Sequence, residues 1–509
     1  MFELLNETLF EKHIAEYLAG SKMYNQRTPK DFNIQKLVDS DMLLQFLREQ
    51  PMWQKLITQS FADEQDALNI VIETINTKIN RGESLLSLLK NGFMLQGRRI
   101  RLAAFKPKMT LDDDDADHLY KKNIFSVVRQ MKYSTQGFDK DNELDLCILL
   151  NGLPIITLEL KNEATGQTVV NAMHQYQTNR HPQNRMLRTC LVHFAMDNNR
   201  VMMTTQLAGD NTRFLPFNKE TVNPQVEGDY PTCYMWKEVL QADSLLNLIQ
   251  HFIKHITPKK GEPFYIFPRY HQLRCVRNII SDVREKGVGQ TYLVQHSAGS
   301  GKTKSMSWLA FQLANLQNVD NTPVFDSVIM ITDRIVLDRN IADEIKGMEE
   351  VAGTVKDIRK GSRNLAKALA EAGADIIYIH PESELIPSAT LELIQLEGKK
   401  TGLILNPCTS LETVKDMLPI TDYVMIMAVN PGFAGREFMP YTRQKFIELD
   451  NYRKEKGLNY HLMLDGGATR EVIADLYHNC NVEGFVLGKQ ELFFQQDDYA
   501  TCIDRIRTF

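Results

Sequence analysis

ELDLCILLNGLPIITLELKNE, residues 143–163, reads as two β-prone runs meeting at Asn151-Gly152. Asn-Gly between apolar runs signals a tight hairpin, because both residues tolerate positive φ. The runs contain Asp145, Glu159 and Lys161. Glu159 and Lys161 are two apart, so they share a strand face. A strict two-residue turn would set Asp145 opposite Leu158, and its side chain would miss Glu159. One added residue in the ribbon sets Asp145 opposite Glu159 instead. Pro154 cannot donate a ladder hydrogen bond, so a three-residue turn or a bulge is predicted between 151 and 154. Two carboxylates brought together in this way can hold Mg²⁺, and a lysine beside them can orient water or stabilise a developing phosphorane.

The 509 residues are too many for one core and imply three or four domains. Residues 1–90 carry helical spacing, as in DMLLQFLREQ and ESLLSLLKNG, and short β-rich runs fill about 95–205. Residues 232–257 look helical, and TPKKGEPFYIFP at 257–268 reads as a connector. Beyond it, strands and helices alternate. The expected strands are TYLVQH, SVIMIT, AGTVKDI, ADIIYIH, GLILNP, YVMIMAVN, YHLMLDG and GFVLG, a pattern for a parallel sheet flanked by helices.

A net charge of −5 excludes an overall basic field, so any grip on DNA must be local. The basic GRRIRLAAFKPK at 97–108 is followed at once by LDDDDADH, and the two read as solvated surface segments. The start, MFELLNETLFEKHIAEYLAG, lacks the basic opening and unbroken apolar stretch of a secretion signal. No apolar run is long enough for a bilayer, so no membrane partner is expected. Seven scattered cysteines without a CxxC pair point to reduced thiols in a cytoplasm.

Residues 143–180, with Asp145, the Glu159/Lys161 pair of ELKN and the later HQYQTNR, resemble the nuclease core of type I restriction enzyme R subunits. That resemblance implies a Mg²⁺-dependent nuclease of the PD-(D/E)xK type. Asp145 and Glu159 would be metal ligands, Lys161 would assist hydrolysis, and Gln175 and Tyr176 would supply a Gln/Tyr motif on the next helix. Their spacing departs from the QxxxY form of some members. Arg180 would contact a phosphate. The family acts on DNA, uses ATP, and assembles with methylation and specificity subunits. Its docking region is a C-terminal part that this sequence does not show, so that assembly is not expected.

HSAGSGKT at 296–303 fits a phosphate loop except for His296 in the first glycine's place. Small residues there let backbone N–H groups close on phosphates. Gly299, Ser300, Gly301, Lys302 and Thr303 are the candidate ATP contacts, with Lys302 neutralising phosphate charge and Thr303 on Mg²⁺. FPRYHQLRCV at 267–276 resembles the adenine-recognising segment of superfamily-2 motors, with Gln272 as base reader. VIMITDRIVLDRN at 328–340 resembles the next motor motif, so residues 1 to about 368 resemble the R subunit. An ATPase also needs a second acidic strand end. Nothing after Thr303 reads like DEAH or DECH, and Asp343-Glu344 lies in a polar helical setting. The motor is therefore expected to be truncated.

From about 371, EAGADIIYIHPES, TGLILNP, YVMIMAVNPGFAGREF, YHLMLDGGATREV and VEGFVLGK resemble strands four to eight of ribulose-phosphate 3-epimerase barrels. The resemblance implies His380 and Asp465 as divalent-metal ligands, Asp465 also as acid/base. It places Gly432, Gly435, Gly466, Gly467 and Gly488 in phosphate-gripping loops. Lys489 stands where the family usually has serine. The second metal histidine and aspartate belong to a barrel strand not present here, so little metal retention and no epimerisation are expected.

The fold expected is α/β multidomain. An N-terminal helical region with a PD-(D/E)xK nuclease domain would cover 1–256, a linker 257–268, a partial RecA-like P-loop domain 269–368, and an incomplete TIM-barrel (β/α) segment 371–509. Barrel closure is not expected; an open sheet or two half-domains is. The leading function is a Mg²⁺-dependent DNA endonuclease. The alternatives are a sugar-phosphate epimerase or phosphate-binding module, and an inactive fusion product.

Overall fold

A computed structural model describes residues 7–106, 114–258, 261–297, 299–318, 322–330, 362–371, 373–431, 436–488, 491–492 and 497–508. The chain forms two compact units, Met1–Glu350 and Val351–Phe509.

In the first unit, β1 (Tyr24–Arg27) precedes a small hairpin of β2 (Phe93–Leu95) and β3 (Arg98–Ile100). Then come β4 (Phe125–Lys132), β5 (Glu143–Leu150), β6 (Leu153–Leu160), β7 (Val192–Met196), β8 (Val201–Thr204) and β9 (Leu215–Pro216). All but β2 and β3 join one sheet in the order β1-β4-β5-β6-β7-β8-β9. β5 is antiparallel to both β4 and β6, and β6 pairs with β7 in parallel. A parallel pair needs a crossover, and the helix Val169–Thr178 supplies it. β6 is the middle strand and every one of its residues is buried. This explains its nearly continuous apolar sequence. A charged residue there, Glu159, requires a specific partner.

The β5–β6 register settles the geometry. Leu146 faces Leu158, Cys147 faces Thr157 and Ile148 faces Ile156, but Leu149 faces Pro154. Ile155 is the extra residue, and the register continued one step sets Asp145 opposite Glu159. The disturbance expected at Pro154 thus falls on its neighbour. The turn itself keeps two residues, with Asn151 at φ 49° and Gly152 at φ 81°. Asn151 is fully buried, accepts from Ile124 N at 2.7 Å and donates to Leu102 O at 2.9 Å. A Cβ on Gly152 would stand 2.2 Å from Asp39 O. Gly152→Ala is therefore expected to destabilise the unit by about 2 kcal/mol, read by urea unfolding.

Asn-Gly and Pro154 act locally; the flanking helices are set by their stripes. Glu7–Ala19 buries Phe10, Ile14, Ala15 and Leu18, and Glu11 lies on the same face. Past β9, the connector read at 257–268 is largely a hairpin, with β10 (Lys254–Ile256) antiparallel to β11 (Phe264–Ile266). The helices Tyr270–Lys286 and Lys302–Ala314 follow. Trp308 anchors the second of these: it is 1% exposed and its Nε1 donates to Phe252 O at 2.9 Å.

Two expected motor strands are not seen among the described residues. Residues 291–296, TYLVQH, are outside any strand, and Leu293 is 93% exposed. Residues 327–330 of SVIMIT are likewise outside any strand; the rest of that run and all of AGTVKDI lie outside the described residues. A strand exists only through its ladder partners, and none is supplied here. Among its described residues, 269–330 thus holds the two helices Tyr270–Lys286 and Lys302–Ala314 and no strand of a RecA-like sheet.

The second unit holds β12 (Ile376–Ile379), β13 (Lys400–Leu405), β14 (Tyr423–Met427), β15 (His461–Asp465) and β16 (Gly484–Val486). They are all parallel and pair in chain order. Among the described residues this sheet is open, with β12 and β16 as its edges. The helices Pro387–Leu396, Arg443–Lys456 and Arg470–Cys480 pack a separate apolar core that includes Leu391, Phe446 and Leu476.

Candidate active site

Asp145 and Glu159 come from neighbouring strands at one end of the central ribbon, and Lys161 follows directly on β6. Asp145 accepts from Leu160 N at 2.7 Å. Burial pushes its carboxyl up to about 6, against the opposing pull of the Lys161 ammonium and the Leu160 N–H. Glu159 is fully buried. Burial, then the charge of Asp145, holds its carboxyl well above the usual range, although Arg180 opposes this. Its Oε1 accepts from Arg180 Nε at 2.8 Å, while its Oε2 has no hydrogen-bond partner. Glu159 is thus raised by Asp145, and Asp145 in turn by Glu7 and Glu11, so the site gathers more negative charge than its buried setting favours. Among the described residues no three His, Cys, Asp or Glu side chains form a metal cage. Two carboxylates suit a hard cation that keeps most of its own waters.

Lys161 Nζ donates to Leu160 O at 2.8 Å and to Glu7 Oε1 at 2.8 Å, and lies 4.0 Å from Asp145 Oδ2. Four residues along the same helix, Glu11 accepts from Arg129 Nε and Gln130 Nε2, each at 2.7 Å. Neither glutamate was read from the sequence as part of a site. The available signal was an acid within the apolar stripe of the first helix.

Tyr176 lies on the buried face of its helix with Val169 and Ala172. Its hydroxyl meets Thr157 Oγ1 at 2.7 Å, and Thr157 Oγ1 meets His193 Nδ1 at 2.7 Å. Burial pushes His193 down to about 4, so it is neutral at pH 7. This chain ties the helix to β6 and β7. Gln175 is half-buried, one step round the helix from Tyr176. Arg180, read as a phosphate contact, is 3% exposed and committed to Glu159 and to Glu143 O, the latter at 2.6 Å.

In the segment expected to bind phosphate, Gly299 and Gly301 take φ 75° and 84°, and Gly301 caps the helix Lys302–Ala314. Gln272 is buried and its Nε2 donates to Gly301 O at 2.9 Å and Ser300 O at 3.3 Å. It clamps the loop backbone instead of facing an open base pocket. Lys302 is exposed and donates to His296 O at 2.9 Å and Ser297 O at 3.1 Å; Thr303 is half-buried. Ser300 Oγ is buried without a hydrogen-bond partner. The helix N-terminus is thus present without the strand that normally leads into such a loop.

In the second unit, His380 follows β12 and Asp465 ends β15. Burial raises the Asp465 carboxyl, against the Gly466 N–H and the nearby His380. His380 Nδ1 is 4.0 Å from Glu382 Oε2. Gly466 and Gly467 have positive φ, and a Cβ on Gly467 would stand 2.4 Å from Phe438 N. Gly488 lies in open space, and Gly432 and Gly435 lie outside the described residues. Among the described residues, two ligands do not make the four-ligand set expected of a retained metal.

Comparison with known proteins divides the chain in two. Residues 7–212 match the family described as Type I restriction enzyme R protein N terminus. Residues 324–492 match the Ribulose-phosphate 3 epimerase family, a match that begins before the 371 boundary read from the motifs. The chain is 37% identical over 139 residues to ribulose-phosphate 3-epimerase of Escherichia coli (strain K12), covering 27% of this chain and 60% of that protein. The enzyme of Buchnera aphidicola subsp. Schizaphis graminum (strain Sg) is 39% identical over 145 residues, 28% of this chain and 62% of its own. That of Synechocystis sp. is 42% identical over 100 residues, 19% and 44%. The chain spans less than two thirds of each of these relatives. No described helix is long and apolar enough to cross a membrane.

Proposed function

We propose that this chain, which joins a type I restriction R-protein N-terminal region to part of a ribulose-phosphate 3-epimerase-type region, is a Mg²⁺-dependent DNA endonuclease of the PD-(D/E)xK type. The observation that carries the proposal is the β-bulge at Ile155. It sets Asp145 opposite Glu159 and leaves a buried, unpartnered oxygen on Glu159. Asp145 and Glu159 would hold the metal. Bound there, Mg²⁺ would acidify a water and neutralise charge on the phosphodiester. Lys161 keeps its ammonium beside Asp145 and offers it to the attacking water or to the phosphate. Arg180 fixes Glu159, and Tyr176 holds the helix behind β6, so both position ligands. Gln175 is the remaining candidate contact.

DNA is the proposed substrate. Nucleotide binding at Gly299–Thr303 without turnover belongs to the same proposal, supported by the helix N-terminus and Lys302. Methylation and specificity subunits are the partners suggested by the R-protein family. The expected result is that the full chain nicks or linearises plasmid DNA in millimolar Mg²⁺ and that EDTA abolishes it. Failure to cut in Mg²⁺ would overturn the proposal.

The epimerase reading is not favoured, because His380 and Asp465 stand without a second histidine–aspartate pair among the described residues. The full chain is expected to show no turnover in a coupled ribulose-phosphate epimerase assay. Turnover lost in Asp465→Asn would favour that reading instead.

A further inference from the structure

Lys161 carries three N–H bonds and no acceptor. Two of the three are fixed, one on Leu160 O and one on Glu7 Oε1, each at 2.8 Å. Asp145 Oδ2 stands 4.0 Å from the same nitrogen, beyond hydrogen-bond reach. The side chain of Lys161 is 9% exposed, so water does little to weaken these attractions. Glu7 is 154 residues away in sequence, and the buried stripe of its helix brings it here.

We propose that Glu7 is a positioning residue of the endonuclease site, holding the Lys161 ammonium away from Asp145 so that the Asp145 carboxylate stays available to a divalent cation; this rests on the function proposed above. Two competitors claim Asp145: an ammonium a short movement away, and a metal. Without Glu7 the ammonium has one anchor fewer, and Asp145 is the nearest anion that can replace it. A direct Lys161–Asp145 pair would shield the carboxylate that the cation needs. With Glu7 in place, two N–H bonds are occupied and the third is left for the attacking water or the phosphate.

Titration calorimetry of the full chain with MgCl₂ tests this, because it reads metal binding whether or not DNA is cut. Glu7→Ala is expected to weaken Mg²⁺ binding about tenfold, the scale of lost outer-sphere support. In a Lys161→Ala background the same change is expected to have less than about a twofold effect, since the competitor is gone. Mg²⁺ binding equal to the parent's in Glu7→Ala overturns the proposal. So does an equal effect in both backgrounds, which would mean that Glu7 acts on the cation itself. Thermal midpoints should match, because Glu7 is one-third exposed and such a pair adds little stability. If Glu7→Ala does not fold, Glu7→Gln decides: weaker binding supports the proposal and unchanged binding overturns it. A parent that binds Mg²⁺ without cutting DNA ends the endonuclease reading alone, and the Glu7 comparison still stands. A parent that binds no Mg²⁺ overturns both.

Discussion

Replacing Asp145 by asparagine should lower Mg²⁺-dependent DNA cleavage by about a thousandfold or more, since a lost ligand removes several kcal/mol of charge stabilisation. The chain should stay folded. Asparagine keeps an oxygen to accept from Leu160 N, the bond Asp145 makes at 2.7 Å. It also removes a buried charge. The folded Asp145 carboxyl is pushed up to about 6 by burial, against about 3.9 in an unfolded chain. A raised carboxyl favours the fold fully below the unfolded value, and that advantage is lost as pH rises through the folded one. At pH 7.5 the asparagine variant should therefore unfold no earlier than the parent. Cleavage and thermal unfolding measured on the same sample separate lost chemistry from lost structure.

Arg180→Ala should produce the largest loss of stability. Arg180 and Glu159 are both almost wholly buried, with Nε 2.8 Å from Oε1. Removing one partner of a buried pair leaves an uncompensated charge and costs about 3–5 kcal/mol. Glu159 is already held above the usual carboxylate range by burial and Asp145, and loss of Arg180 raises it further. The penalty exists only while Glu159 is ionised, so it should be larger at pH 8 than at pH 5. Adding Glu159→Gln should restore much of the stability. Urea unfolding at the two pH values checks the sign. A penalty independent of pH would mean that packing against Tyr133, whose ring centroid lies 5.6 Å from the guanidinium, dominates.

Local sequence was enough to place the ribbon that carries the candidate site. Asn151-Gly152 marks the turn, and Pro154 signals a disturbed register, which the structure places one residue on, at Ile155. From these the approach of Asp145 to Glu159 could be reasoned before any coordinates. Glu7 and Arg180 could not be assigned in the same way. Glu7 acts across 154 residues and Arg180 across 21, and no local pattern encodes which acid meets which base. TYLVQH misled for a related reason. β-propensity is a preference for a pleated, half-buried surface, and it cannot create that surface. The strands ADIIYIH and GLILNP do form, because they pair with each other as β12 and β13. TYLVQH has no such neighbour and remains exposed. The same contrast bears on function. Asp145 and Glu159 lie on neighbouring strands of one sheet, and Lys161 directly follows the second of them. The loop at 296–303 and the pair His380 and Asp465 offer no comparable gathering of proposed residues on paired strands.

If the ribbon alone carries the chemistry, cutting should not need the motor. The decisive measurement is plasmid cleavage by the full chain in Mg²⁺, with and without ATP. Equal cleavage in both, abolished in Asp145→Asn, is the predicted result. Cleavage only with ATP, or cleavage that survives Asp145→Asn, would contradict it.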